Sequence, residues 1–117
     1  AGKNILISDK EKTIADCLDH PEYCGDITEV AKALKTEGLS FGKIVDHAKK
    51  MGNATIIKRL GYLSEILDIK LDEKLKKTML KNISKGYSVL DPSIKSRTGK
   101  NNEKWKLLIN RKIGEEF

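Results

Sequence analysis

Residues 53–67 read NATIIKRLGYLSEIL, which is the most regularly periodic stretch in the chain. Its apolar residues recur three and four positions apart, the spacing of one face of an α-helix. Asn53 stands just before them, where a helix N-cap is favoured. The pattern predicts a helix that starts after Asn53 and forms the centre of the core. The residues predicted to face the core are Ile56, Ile57, Leu60, Leu63, Ile66 and Leu67.

Gly61 lies inside this predicted helix. Glycine in a helix interior costs about 1 kcal/mol relative to alanine. A glycine at such a position indicates that another backbone packs closely against the helix. We therefore expect a neighbouring segment of the chain to cross the central helix at Gly61.

Four further helices are predicted around the central one, and each follows a capping residue. The first begins after Ser8 and ends before His20, because the residue that precedes a proline avoids helical backbone. The other three follow Asp26, Ser40 and Asp72, and they stop before Gly38, Gly52 and Gly86.

Three short runs have the composition of β-strands: Ile5–Ile7, Tyr87–Leu90 and Trp105–Asn110. Residues 96–102 separate the last two and read SRTGKNN, which predicts a polar loop. Trp105 is predicted to lie in the core. The N-terminal run either joins the same small sheet or pairs with a segment upstream of this chain. The predicted fold class is mainly α with a minor β element: a compact bundle of about five helices with short strands and a C-terminal hairpin.

The size and composition of the chain suit one cytoplasmic domain. Its length of 117 residues predicts a single domain, residues 1–117. No apolar run approaches the roughly 18 residues that a membrane span needs. The first residues also lack the apolar centre of a signal peptide. We therefore predict a cytoplasmic location and no membrane partner.

Positive charge is concentrated in the second half of the chain. The net charge is +6, yet residues 1–67 carry ten basic and ten acidic side chains. Residues 68–117 carry thirteen basic and seven acidic side chains. An uneven basic surface attracts nucleic acid or an acidic protein, although lysine-rich faces are also common as solvated surface.

The candidate phosphate-binding residues form two groups. The first lies in the predicted hairpin and comprises Lys95, Arg97, Lys100, Lys104, Lys106, Arg111 and Lys112. In a regular strand Lys104 and Lys106 would share one face, with Trp105 opposite. The second group is a helix face with Lys76, Lys77 and Lys81. Neither group resembles a recognition helix, so the predicted contact with DNA is to phosphates and independent of base sequence.

Cys17, His20 and Cys24 carry side chains that can bind zinc. A closed zinc site needs four ligands, and Pro21 bends the chain between these candidates, so we predict no metal. A disulfide is also not expected, because cytosolic thiols are kept reduced. Cys17 is predicted to be a small core residue.

The residue types do not predict an enzyme. Asp16 and Asp19 share a helix face and could bind a divalent cation for phosphodiester hydrolysis, which leaves a nuclease as a remote alternative. Such a site would also need a lysine beside an acidic pair on a strand. There are only two histidines, and no nucleophile motif or phosphate-binding loop is present. We predict no catalytic residues and no cofactor.

Three segments together resemble a known family. They are EKTIADCLDHPEYCG at 11–25, Gly52–Asn53, and KRLGYL at 58–63. They look like the domain that follows the DNA-binding domain in AbiE-type abortive-infection antitoxins, which are also transcriptional regulators. The resemblance covers roughly Ser8 to Asp91.

The resemblance implies a function and two partners. In that family an N-terminal winged helix-turn-helix binds the operon's own promoter, and the antitoxin neutralises a nucleotidyltransferase-like toxin encoded beside it. The system is type IV, without a stable complex as its usual mode, and the C-terminal domain is the part implicated in antitoxicity. We expect this chain to be such a domain, lacking the winged helix that would supply sequence specificity. The alternative is a protein-interaction scaffold that binds an acidic partner and no DNA.

Overall fold

The computed structural model describes residues 10–94 and 99–113 of the chain. Within these residues the fold is mainly α with a minor β element, as predicted. The α-helices are α1 (Lys10–Asp19), α2 (Ile27–Ala33), α3 (Phe41–Met51), α4 (Ala54–Ile66) and α5 (Glu73–Lys81), and a 3₁₀ helix at Pro21–Cys24 follows α1. The strands are β1 (Ser88–Val89), β2 (Lys100–Asn102) and β3 (Leu107–Ile109).

Side-chain caps set the starts of four helices. The side-chain oxygens of Asp26, Ser40, Asn53 and Asp72 accept hydrogen bonds from backbone N–H groups in the first turns of α2, α3, α4 and α5. These bonds satisfy donors that have no partner inside the helix. The cap residues predicted for these four helices are therefore confirmed. Ser8, the predicted cap of α1, lies outside the described residues.

Two helices end earlier than the glycine positions predicted. After α2, the N–H groups of Lys35 and Thr36 bond to carbonyls three residues back, so the chain continues as tighter turns. After α5, the side chain of Asn82 donates to the carbonyl of Thr78 at 2.7 Å. An asparagine that bonds to its own helix in this way competes with the next helical turn.

Helix α4 is the centre of the core, as its sequence predicted. It contacts α1, α3, α5 and β3. Ile56, Ile57, Leu60 and Leu63 are fully or almost fully buried, and Ile66 and Leu67 are half-buried at the end of the helix. Burial extends beyond this apolar face, because Lys58, Arg59 and Gly61 are also buried.

The close neighbour of Gly61 is a side chain, so the prediction of a crossing backbone is wrong. A Cβ placed on Gly61 would overlap the ring of Trp105. Trp105 is fully buried, which confirms its predicted place in the core. Glycine is required because a flat aromatic ring fills the space of the missing side chain.

The strands form one sheet in the order β1-β3-β2. Strand β1 pairs parallel with β3, and β2 pairs antiparallel with β3. A C-terminal hairpin is therefore present, but its strands are β2 and β3, and the run at 87–90 is not the antiparallel partner of β3 that the sequence predicted. The prediction of a polar loop over 96–102 is wrong for Lys100–Asn102, which form β2. This strand is held by backbone hydrogen bonds to β3, which do not require apolar side chains. Asn102 then accepts a hydrogen bond from the N–H of Trp105 at 3.0 Å, which closes the turn into β3. The predicted strand Ile5–Ile7 lies outside the described residues.

Cys17 and Cys24 form a disulfide, which corrects the prediction of free thiols. The 3₁₀ helix turns the chain back beside the end of α1, so that the two Cα atoms lie 5.8 Å apart. This separation is within the usual range for a disulfide. The prediction was wrong because it was based on the reducing conditions of the cytosol. It did not consider that the turn at Pro21 brings the two cysteines close together.

Candidate nucleic-acid interface

The hairpin candidates are spread along the C-terminal sheet. Lys100 lies in β2, Lys104 and Lys106 lie in the turn before β3, and Arg111 and Lys112 follow β3. Lys95 and Arg97 lie outside the described residues. The structure therefore describes the surroundings of five of the seven hairpin candidates.

Arg111 is half-buried and forms two ion pairs within the fold. Its Nη1 atom lies 3.1 Å from Oδ2 of Asp91 and 3.3 Å from Oδ2 of Asp26. The hydrogen bond to Asp91 raises the pKa of Arg111, and the carboxylate of Asp26 acts in the same direction. Because two carboxylates already neutralise this guanidinium, Arg111 joins two parts of the fold and gives little to a bound phosphate.

Lys104 and Lys106 have separate neighbours within the fold. Lys104 forms an ion pair with Glu65 of α4, and its Nζ lies 5.8 Å from the centre of the Trp105 ring. The Nζ of Lys106 lies 5.7 Å from the centre of the Tyr87 ring. The strand alternation predicted for these lysines is wrong, because residues 103–106 form a turn in which Lys106 has a left-handed φ of 54°.

Lys100 and Lys112 border an open groove beside the sheet. Its volume is about 500 Å³. Tyr62 of α4 and the side chains of Ile109 and Ile113 give it an apolar wall. Burial raises the pKa of the Tyr62 hydroxyl, so this group stays protonated well above neutral pH. Lys100 and Lys112 are both exposed at the border of this groove.

The lysines of the second candidate group, on α5, differ in their exposure to solvent. Lys77 and Lys81 are exposed, and Lys74 joins them at a spacing of three and four residues, which places all three on one face of the helix. Their ammonium groups have no ion-pair or hydrogen-bond partner within residues 10–94 and 99–113. Lys76 is half-buried elsewhere on the helix and lines a shallow cleft with Glu65 and Asp68. We call Lys74, Lys77 and Lys81 the α5 lysine face.

Sequence reasoning did not include Lys74 among the candidates. The signal was available, because residues 74, 77 and 81 follow the i, i+3, i+7 pattern of one helix face. The predicted helix face included Lys76 in place of Lys74, but Lys76 is half-buried and lies on a different side of the helix from Lys77 and Lys81. The periodicity of the helix distinguishes the two.

Arg59 is a buried cation that makes four hydrogen bonds to backbone. Nη1 donates to the carbonyls of Leu18 at 2.6 Å and Asp19 at 3.0 Å. Nε and Nη2 donate to the carbonyl of Val89 at 3.1 and 3.0 Å. Burial lowers the pKa of Arg59, while Asp19, Glu22 and Asp91 act in the opposite direction. Arg59 therefore joins the end of α1 to the end of β1.

Lys58 is buried beside Arg59 and also has an internal role. Its ammonium donates to the carbonyl of Gly86 and to the hydroxyl of Ser88, the latter at 3.2 Å. Ser88 also shares a hydrogen bond of 3.0 Å with Thr55. Burial lowers the pKa of Lys58. These contacts hold the segment before β1 against α4, and they remove Lys58 from any exposed basic surface.

The residues proposed for metal chemistry have other partners. Cys17 and Cys24 are joined to each other, so neither offers a thiolate in this state. Asp16 pairs with Lys12 at 3.3 Å, and Asp19 accepts a hydrogen bond of 2.6 Å from Asn53. In the described part of the chain, no three His, Cys, Asp or Glu side chains are grouped to hold a metal ion. Asp16 and Asp19 therefore each have a partner other than a metal ion within the described residues.

Several residues that carry the family resemblance have structural roles. Glu11 is buried in α1, and its Oε2 accepts a hydrogen bond from the N–H of Ser40 at 3.0 Å. Burial acts to raise the pKa of Glu11, but this bond and the nearby lysines outweigh it, so the pKa lies below its ordinary value. Asn53, Arg59 and Gly61 likewise hold helices and strands together.

Comparison of the chain with protein-family models, curated proteins and solved structures finds no match. The family resemblance therefore stays a prediction. No helix in residues 10–94 and 99–113 has both the length and the apolar character to cross a membrane.

Proposed function

We propose that this chain is the antitoxin and regulatory C-terminal domain of an AbiE-type, type IV toxin–antitoxin system. In this proposal the domain acts in the cytoplasm, is not an enzyme, and contributes to neutralising a nucleotidyltransferase-like toxin. It also contacts DNA phosphates without reading sequence. The family resemblance supports the antitoxin role, and the α5 lysine face is the observation that carries the DNA contact.

The α5 lysine face suits phosphate contact because its charges are unpaired and close together. A helix rises 1.5 Å per residue, so Lys74 and Lys81 are separated by roughly 10 Å along the axis. No side chain of the described residues competes for their ammonium groups. Lysine presents a mobile point charge, which meets phosphates without a fixed geometry and hence without base specificity.

The hairpin takes second place in this proposal, which reverses the order predicted from sequence. Arg111 is committed to Asp26 and Asp91, and Lys104 is paired with Glu65. A phosphate would have to replace those carboxylates, and so it would gain less from these residues. Lys100, which is exposed in β2, is the hairpin residue that we add to the α5 lysine face.

The test is the binding of a fluorescein-labelled DNA duplex, followed by anisotropy at 50 and 200 mM salt. If about four phosphates are contacted, affinity should fall on the order of a hundredfold between these salt concentrations. The variant Lys74→Gln/Lys77→Gln/Lys81→Gln should bind more weakly at 50 mM and show a shallower salt slope.

The matched control is Lys43→Gln/Lys49→Gln/Lys50→Gln on α3, where all three lysines are exposed. It removes the same charge from a different helix, so it should bind DNA almost as well as the unchanged chain. Equal losses in both variants would mean that overall charge drives binding, and the α5 lysine face would be rejected.

The alternative is a scaffold domain whose basic face binds an acidic protein. The same unpaired lysines favour it, because carboxylates can replace phosphates as their partners. Labelled poly-glutamate separates the two in the same assay. Binding of poly-glutamate with no binding of DNA at 50 mM salt would support the scaffold and remove DNA contact from the proposal.

Antitoxicity needs a separate test in cells. The chain is co-expressed with the nucleotidyltransferase-like toxin encoded next to its parent gene, and growth is compared with cells expressing the toxin alone. Restored growth supports the antitoxin role. Failure to restore growth, with the chain soluble and folded, would reject that role for this domain regardless of its DNA affinity.

A further inference from the structure

The disulfide closes a short loop at the end of α1. We call residues 17–26 the disulfide loop; it contains the last turn of α1, the 3₁₀ helix and the cap of α2. Cys17 and Cys24 are half-buried and pack against the edge of the core. Between them only Leu18 and Pro21 are buried, while His20 and Tyr23 are exposed and stack on each other with ring centres 4.7 Å apart.

Two arginines fasten this loop to the sheet, one at each end. Near its start, Arg59 binds the carbonyls of Leu18 and Asp19 and, on its other side, the carbonyl of Val89 at the end of β1. At its far end, Arg111 binds Asp26 and also Asp91, which lies two residues after β1. The loop is therefore connected to the same part of the sheet through two separate side chains.

These contacts place the disulfide beside a junction between the helical layer and the sheet. The carbonyls that Arg59 binds follow Cys17 directly, and Asp26 comes two residues after Cys24. Any change in the path of the chain from 17 to 24 alters the positions of these acceptors. Arg59 and Arg111 also bind Val89 and Asp91. A change in the path of residues 17–24 therefore also shifts the end of β1 and the segment after β3, which contains Arg111.

We propose that Cys17 and Cys24 form a redox-responsive clamp that controls the order of this junction. In the oxidised state the bond holds the disulfide loop closed, and both arginines keep their two sets of partners. A dithiol reductant gives two electrons and two protons: the S–S bond breaks, each sulfur becomes a thiol, and the reductant becomes a disulfide. The freed loop then opens locally, and the residues bound by Arg59 and Arg111 become less protected. This inference does not depend on the proposed function.

The first step of the test is to establish the oxidation state. The purified chain is alkylated with iodoacetamide under denaturing conditions, with and without prior dithiothreitol, and its intact mass is measured. We expect alkylation of both cysteines only after reduction. Full alkylation without reductant in air-equilibrated protein would overturn the proposal, because the bond would not form.

The second step is hydrogen–deuterium exchange of the oxidised and reduced chain. We expect amides of residues 20–26 and 89–91 to exchange on the order of tenfold faster after reduction, because a released loop opens locally more often. Amides of α5 that exchange through local opening should be unchanged. Equal exchange in both states would overturn the clamp, as would an acceleration at 20–26 and 89–91 no larger than that of these α5 amides, because the crosslink would then stabilise the chain without ordering this junction.

The variant Cys17→Ser/Cys24→Ser shows whether the reductant acts on the chain by any route other than this disulfide. It should show the fast exchange of the reduced state at 20–26 and 89–91, and dithiothreitol should not change it further. Slow exchange in this variant would overturn the proposal, because the loop would then stay closed without the bond.

Discussion

The indole ring of Trp105 covers the backbone of α4 at Gly61, and the two fit together because glycine has no side chain. Trp105 is in the turn before β3, so this contact seats the sheet on the central helix. Tryptophan buries a large apolar area, and the contact is therefore a major part of the core that joins the two layers.

We predict that Gly61→Ala destabilises the chain by about 2 kcal/mol. The added methyl would overlap a rigid ring, and overpacking of this kind outweighs the roughly 1 kcal/mol that alanine gains as a helix former. Urea unfolding followed by Trp105 fluorescence measures the change. Gly42→Ala in α3 is the matched control, since a Cβ there would meet only Oγ of Ser40 at 4.0 Å, an ordinary van der Waals contact. It should be neutral or slightly stabilising; a stabilised Gly61→Ala would contradict the packing described.

A second prediction concerns Arg59, which bonds to three carbonyls through a planar fork. Arg59→Lys should lower the free energy of unfolding by about 2–4 kcal/mol, because a single ammonium cannot reach acceptors on opposite sides and leaves some of them unpaired. Chemical denaturation provides the measurement. Exposed Lys49→Arg serves as the control for exchanging the two cation types. An Arg59→Lys variant as stable as the unchanged chain would show that charge alone suffices at this position.

The disulfide should contribute about 2.5 kcal/mol to stability, as loop-closure entropy predicts for a crosslink between residues seven apart. The comparison is between oxidised protein and Cys17→Ser/Cys24→Ser in urea unfolding without reductant. Dithiothreitol should lower the stability of the unchanged chain and leave the variant as it was. A difference below about 0.5 kcal/mol would indicate that the closed loop is equally ordered without the bond.

The stability of the chain should fall at acid pH partly through Asp91. Burial acts to raise the pKa of this carboxyl, but hydrogen bonds from Ser93 and Arg111 outweigh it and set the pKa below its ordinary value. A depressed pKa means that the contribution is complete above about pH 4 and is lost as the pH falls through the folded-state value.

Asp91→Asn should therefore lower stability by about 2 kcal/mol at pH 7 and flatten the decline of stability between about pH 5 and pH 2. Unfolding by urea at a series of pH values tests both effects. Asp46→Asn on the exposed side of α3 controls for the loss of one negative charge. An acid decline as steep in Asp91→Asn as in the unchanged chain would show that other groups govern it.

Local patterns predicted the helices well because their causes are local. The apolar period of 56–67 and the capping residues Asp26, Ser40, Asn53 and Asp72 act within a few residues of where they stand. The strand Lys100–Asn102 could not be predicted in this way, because its only strand-forming feature is its backbone pairing with β3. Its polar side chains carry no signal of a partner that lies further along the chain.

The basic candidate residues also separate into features that local sequence predicts and features that depend on distant contacts. Composition located the positive half of the chain but treated its lysines and arginines alike. Asp26, Asp91 and Glu65 then distinguish them, because these carboxylates pair with Arg111 and Lys104 and leave Lys77 and Lys81 open. Which cations are paired depends on residues far apart in sequence, and only folding brings them together.

The sequence by itself determined where most helices begin, which face of α4 is apolar, and which half of the chain is basic. These properties follow from side-chain chemistry at spacings of one to eight residues. The tertiary structure alone decided that Trp105 fills the space at Gly61, that Arg59 is buried and Arg111 is paired with carboxylates, and that the α5 lysine face stays exposed. Each of these outcomes depends on contacts between distant segments, whose distances are set only when the whole core is packed.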